Sequence, residues 1–135
     1  MSQPNSTTIT TTYTTLSTTV TTYFRTIDTH DLPTTLALFS PTATFTITTS
    51  NTIFTGQTEI HAMFSDFISR SKTMEHRVLS MVVDERERKV ATQQRYIGEM
   101  KDGSKLDMFN CNFFEFDEGG LIMGVRVWMD GVGPL

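Results

Sequence analysis

Between Met74 and Asp130 the chain is punctuated three times by charged or glycine-bearing breaks, and this punctuation constrains the fold more than any other feature. The breaks are Glu85-Arg86-Glu87-Arg88, Lys101-Asp102-Gly103-Ser104 and Asp117-Glu118-Gly119-Gly120. Around them stand MEHRVLSMVVD, KVATQQRYIGEM, SKLDMFNCNFFEF and LIMGVRVWMD, runs rich in β-branched and aromatic residues. Asp-Gly between such runs is a strong hairpin signal, because the tight turn needs residues that reach positive φ. The expectation is four antiparallel strands in a meander.

Turn lengths then decide which side chains share a face, since directly opposed residues point the same way and the side-chain period is two. A two-residue loop at Asp102-Gly103 sets Arg95 opposite Asn110 and Gln93 opposite Asn112. A four-residue loop at 117–120 sets Asn110 opposite Val127 and Asn112 opposite Val125. One of the same length at 85–88 sets Val78 opposite Arg95, Ser80 opposite Gln93 and His76 opposite Ile97. One face then collects His76, Val78, Ser80, Val82, Gln93, Arg95, Asn110, Asn112 and Phe114. The other collects Leu79, Met81, Gln94, Tyr96, Phe109, Phe113, Arg126 and Trp128. Both are substantially apolar, so both are expected to be covered.

The remainder supplies helices. Threonine dominates from Thr7 to Thr29, yet Ile9, Tyr13, Leu16, Val20, Tyr23, Phe24 and Ile27 recur at steps of three and four, one face of an α-helix. Asp31 can cap a short second helix from about Pro33, carrying Leu36, Leu38 and Phe39 until Pro41 stops it. Ala43–Thr49 alternates as a strand, with Thr52–Thr55 as its return. Beyond Gly56, a third helix carries the stripe Ile60, Met63, Phe64, Phe67 and Ile68. With 135 residues this is one domain, 1–135, in which 1–8 reads as a flexible tail. The fold class is α+β: a curved antiparallel sheet closed on one side by three helices.

Composition excludes several functions. The net charge is −4 and the eleven Lys and Arg are scattered, against nucleic acid as the main partner. Cys111 is the sole cysteine, so neither an internal disulfide framework nor a cysteine-based zinc site can be built. No apolar run is long enough to span a membrane, and the start of the chain lacks the pattern of a signal peptide. A soluble, cytoplasmic protein is the expectation. There is no phosphate-binding glycine loop, no His/Asp cluster at metal spacing and no nucleophile with a neighbouring base. Neither a cofactor nor a metal is expected.

The stretch YFRTIDTHDLPTTLALFSPTATF, the helix FTGQTEIHAMF, and EHRVLSMVVD followed by hairpins ending in WMD resemble the nuclear-transport-factor-2-like superfamily. More narrowly they resemble SnoaL-type polyketide cyclases and the small fungal isomerases and cyclases of meroterpenoid pathways. The resemblance covers Tyr13 to Asp130. It implies a cone-like curved sheet around a pocket, helices closing it, and a homodimer through the outer sheet face. In related epoxide hydrolases an arginine and an acid lie two residues apart on one strand, with a further acid on the last strand. Those positions look like Arg95, Ile97 and Val127, so only the arginine is retained. The fungal isomerase relatives often carry a histidine in the segment resembling EHRVLSMVVD and an acid near the position of Phe109 or Val127; His76 matches and the acid does not.

These positions select the His76–Arg95 face as the expected pocket. There, Gln93, Arg95, Asn110 and Asn112 form a polar patch among apolar neighbours, and a buried arginine needs an acceptor. Arg95 with two amides suits a developing oxyanion, while His76 suits proton transfer near neutral pH. Arg95 and His76 are therefore the expected catalytic pair, with Asn110, Asn112, Gln93, Tyr23 and Phe114 around the substrate. For Arg95 and the asparagines, exposure on a solvated edge or a dimer surface is the competing reading, and for His76 a satisfied structural histidine. Tyr13 and Tyr23 lie on the core stripe and can turn hydroxyls toward a cavity. Trp128, Phe109 and Phe113 anchor the opposite, dimer-forming face. Together with the resemblance, this gives a cofactor-independent isomerase or cyclase of fungal secondary metabolism, acting on a small hydrophobic polycyclic substrate. A non-catalytic ligand-binding or scaffold domain, and an epoxide hydrolase or dehydratase, are the alternatives.

Overall fold

A computed structural model describes residues 6–131 and 133–135, with side chains from Thr12 onward. Helix α1 (Ser6–Asp28) is followed by α2 (Leu32–Ala37), β1 (Phe39–Ile47) and β2 (Thr52–Thr55). Helix α3 (Gly56–Arg70) then leads into β3 (Ser71–Asp84), β4 (Lys89–Met100), β5 (Lys105–Phe116) and β6 (Ile122–Trp128). Residues 1–5 of the expected tail lie outside the described residues, and the helix already begins at Ser6.

Threonine is a mediocre helix former, so α1 is held by what it buries. Leu16, Val20, Tyr23, Phe24 and Ile27 are all buried, each contributing about 1.5–3 kcal/mol for a large side chain fully removed from water. On the other side, threonine hydroxyls bond to carbonyls one turn back, as Thr19 to Thr15 and Thr21 to Ser17. Tyr13, expected on the core stripe, is instead exposed; Leu16 is the first buried side chain among those described, and Ile9 of the expected stripe lies outside them. Asp31 caps α2 by accepting from the Thr34 N–H at 3.2 Å. That helix ends at Ala37, and Pro41 lies within β1 rather than terminating α2. The β1–β6 ladder is irregular between Phe39 and Thr44, so the missing N–H of Pro41 falls where the regular ladder is broken.

The strands form one curved, open sheet in the order β2-β1-β6-β5-β4-β3. Strands β3 to β6 make the expected antiparallel meander, but β1 pairs parallel with β6, so the sheet is mixed. Helix α1 packs over β3 and β4, and α3 over β1 and β2, enclosing the core on one face. Its centre is aromatic: Tyr23 meets Phe24, Phe39, Phe64 and Phe114 edge-on at centroid distances of 5.1 to 6.1 Å.

The turns set the register differently from expectation in two places. At 101–103 the loop has three residues, closed by Met100 N–H to Ser104 O (2.8 Å) and Gly103 N–H to Met100 O (3.0 Å). Gly103 takes φ +93°, the left-handed position such loops require. The ladder slips by one residue, placing Gln94 opposite Asn110 and Arg95 opposite Phe109. In β3 the expected pairing holds from Asp84–Lys89 to Ser80–Gln93, then a bulge at Leu79 shifts it, so that Val78 opposes Gln94 and His76 opposes Tyr96. A bulge inserts one unpaired residue and reverses which side chains face inward. At β5–β6 the pairing is Asn112–Val127 and Phe114–Val125, two residues from expectation, which leaves the faces unchanged.

Candidate active site

Beneath α1 and α3, the inner face of β3–β6 walls a cavity of about 40 Å³. Its polar wall comes from His76, Gln94, Tyr96, Asn110, Asn112 and Tyr23. Ile27, Phe45, Phe64, Phe67, Val127 and Met129 supply apolar surface, and Pro134 and Leu135 complete it.

His76 is positioned by an acid that ends α1. Asp28 Oδ2 accepts the His76 backbone N–H at 2.7 Å, and Oδ1 lies 2.5 Å from the ring Nδ1. Both side chains are less than a fifth exposed. The ring is sandwiched between Phe24 and Tyr96 at 5.2 and 5.0 Å. A carboxylate on Nδ1 selects the tautomer that donates there, leaving Nε2 to accept a proton and stabilising the imidazolium that results.

A chain of amides lies across from this pair. Thr92 Oγ1 donates to Gln94 Oε1 (2.8 Å), and Gln94 Nε2 donates to Asn112 Oδ1 (2.8 Å). Asn110 Oδ1 accepts the Asp130 backbone N–H at 3.1 Å. With both asparagine carbonyls engaged, their Nδ2 groups remain as donors for a ligand oxygen. All three amides are more than nine-tenths buried, so each donor acts in a dry environment where it is electrostatically stronger than in water.

Two phenols complete the wall as donors rather than bases. Burial, with the Asp28 charge adding to it, pushes the Tyr23 hydroxyl far above its ordinary range and that of Tyr96 up to about 12. The Tyr96 hydroxyl is buried without a hydrogen-bond partner, a state that costs about 1–3 kcal/mol. Gly98 makes room for it: a Cβ there would stand 2.4 Å from the Tyr96 oxygen.

Of the residues expected at the site, the structure brings together His76, Asn110, Asn112 and Tyr23. Phe114 is wholly buried one layer behind, edge-on to Tyr23 at 5.3 Å. Arg95 and Gln93 are corrected: the three-residue loop turns both to the outer face, where Arg95 pairs with Asp107 through two hydrogen bonds of 2.9 and 2.7 Å. Gln94 and Tyr96, assigned from sequence to the outer face, take their place inside. Val78 remains on the inner side of the bulge, whereas Ser80 and Val82 turn outward. Asp28 was missed altogether. Its signal was a carboxylate at the next step of the row Leu16–Val20–Phe24, where an apolar residue is due.

Among the described residues, no three His, Cys, Asp or Glu side chains gather as a metal ion would require. No helix among them is long and apolar enough to cross a membrane. An open, curved sheet with helices closing a small polar-walled cavity defines a pocket protein of the nuclear-transport-factor-2-like fold. The SnoaL-like domain model matches residues 20–125, and the chain belongs to the SnoaL-like family. No curated protein sequence matches it. PrhC from Penicillium brasilianum superposes with a TM-score of 0.79 at 17% identity, covering 88% of this chain and 82% of that one. SalBIII, an epoxide hydrolase/cyclase-like enzyme with a role in pyran ring formation in polyether salinomycin, gives 0.77 at 14%, covering 86% and 91%. An LEH-like epoxide hydrolase of M. tuberculosis gives 0.75 at 16%, covering 87% and 84%. At these identities the likeness is one of fold.

Proposed function

We propose that this chain is a cofactor-independent isomerase or cyclase, acting on a small apolar carbonyl compound of the polycyclic kind made in fungal secondary metabolism. The observation that carries the reading is the His76–Asp28 pair, less than a fifth exposed, facing spare amide donors across one cavity. In the proposed step His76 Nε2 removes a proton from a carbon next to the substrate carbonyl. The electron pair moves onto the oxygen, and the Nδ2 groups of Asn110 and Asn112 stabilise that enolate. The imidazolium returns the proton to a different carbon, which isomerises the substrate. Alternatively, the enolate carbon attacks an electrophilic carbon of the same molecule, closing a ring, and the proton goes to the oxygen that the attack leaves negative. The fungal neighbour and the ring-forming relative support the substrate class.

His76→Gln tests this reading. It removes the base, and turnover is expected to fall by about 10²–10⁴-fold, the usual contribution of a positioned general base. Asp28→Asn should lose much of the same factor, because an amide on Nδ1 no longer enforces the tautomer. Wild-type turnover by a folded His76→Gln protein would leave the cavity as a ligand-binding site without chemistry.

We further propose a homodimer through the outer sheet face. Phe109, Trp128, Leu79 and Val82 are each 43–65% exposed, and a monomer would leave this apolar patch in water. Light scattering should give twice the mass of one chain at micromolar concentration, and Phe109→Lys should return it to one.

A further inference from the structure

The cavity is far smaller than sites that hold drug-sized ligands, which measure about 300–1,000 Å³. At about 40 Å³ it admits only water. Part of its wall is the segment after β6: Pro134 and Leu135 line it, and Leu135 packs against the hydrophobic core. Pro134 also lines a second, larger cleft of about 490 Å³, shared with Arg70, Met100, Ser104, Leu106 and Gly133. Gly133 to Leu135 thus stands as a partition between two spaces.

The partition is held by few contacts. Arg70, the last residue of α3, donates from Nη2 to the Pro134 carbonyl at 2.6 Å. The same guanidinium holds Asp66 at 2.9 Å. Gly133 lies against Met129, whose sulfur would be 2.2 Å from any added Cβ. One charge-assisted hydrogen bond and one partly buried leucine make a latch of the kind that opens locally while the sheet stays intact.

We propose that Gly133–Leu135 occupies the place of the ligand, and that the ligand displaces it. The incoming molecule is a neutral, rigid apolar body that carries, apart from the carbonyl facing Asn110 and Asn112, a ketone, ester or lactone oxygen at its other end. Its body takes the space of Leu135 and joins the two cavities, and that second oxygen replaces the Pro134 carbonyl on Arg70. Neutrality follows from the charges present: Arg70 is already paired with Asp66, and Asp102, which accepts from Ser104, adds a further negative charge to the same cleft. A carbonyl takes up the guanidinium donors without adding a second negative charge beside Asp66. This inference rests on the inner cavity being the substrate site.

Binding of two shape-matched probes, 2-acetylnaphthalene and 2-ethylnaphthalene, tests it by calorimetry without turnover. Leu135→Ser should tighten both by about tenfold, since a segment that closes the site nine-tenths of the time lowers apparent affinity by that factor. Arg70→Met should tighten the hydrocarbon, because the latch is lost, and abolish the preference for the ketone, because the anchor is lost. In the wild type, saturating 2-acetylnaphthalene should move the Leu135 methyl resonances to the positions of an unpacked leucine. Unchanged affinities in Leu135→Ser, a ketone preference that survives Arg70→Met, or fixed Leu135 resonances in the bound protein would each overturn it. None of these measurements involves His76, so they can fail while the catalytic reading stands, and the converse holds too.

Discussion

The two faces of β4 and β5 carry nearly the same chemistry to opposite ends. Inside, Gln94, Asn110 and Asn112 are almost fully buried, their carbonyls engaged and their asparagine donors unspent. Outside, on the alternate residues of the same two strands, Gln93, Arg95 and Asp107 meet water. There Arg95 and Asp107 satisfy each other, as Arg77 and Glu75 do next to them. A buried amide with a free N–H stabilises charge that appears in front of it, whereas an exposed ion pair is screened and contributes little. Chemical potency here follows from the face, and the face follows from one residue in a turn.

The inner half of this comparison is broken most sharply at Asn112. Asn112→Leu keeps the number and branching of the side-chain heavy atoms but removes the Nδ2 donor and the acceptor that Gln94 relies on. Turnover is expected to fall by about 10²–10³-fold, as for loss of one oxyanion donor. The orphaned Gln94 N–H should also lower stability by about 1–3 kcal/mol, read as a drop in the urea midpoint. Loss of stability with turnover intact would make the amide chain a structural network only.

How far the sequence reveals this site depends on the parity of its turns. The helical stripes of α1 and α3 were legible because apolar side chains recur at three and four over many residues, and no single position decides the pattern. The face of a strand is decided by counting, and an error of one inverts it. At 117–120 the count is off by two, so Asn110, Asn112, Val125 and Val127 still share the expected face. At 101–103 it is off by one, because Gly103 serves a three-residue loop as readily as a two-residue one, and Arg95 changes sides with Tyr96. The bulge at Leu79 has no sequence mark at all; VLSMVV reads as an unbroken strand. Yet that bulge lets His76 point inward while Met81 and Val83, beyond it, also pack against the core. Asp28 went unread for another reason: an acid at a helix end is usually a solvated terminus, and only the arrival of β3 makes it the partner of His76.

The outer half of the comparison is sharpened by the smallest expected effect. Arg95→Met removes a guanidinium that touches Asp107 and lies 6.0 Å from the Phe109 ring, but nothing in the cavity. Turnover of the folded protein should therefore stay within about twofold of wild type, as for surface changes away from a site. A small signature is expected in stability against pH. The Arg95 guanidinium holds the Asp107 carboxyl below its usual range, so the pair's contribution is present above the ordinary carboxylate pKa. It is lost as pH falls through the depressed value. Wild type and Arg95→Met should thus differ slightly in urea midpoint at neutral pH and converge in acid, with the neutral difference shrinking as salt screens the exposed pair. If instead Arg95→Met cost turnover by the factor expected of Asn112→Leu, the outer face would belong to the chemistry, and the contrast between the two sides of β4 would not hold.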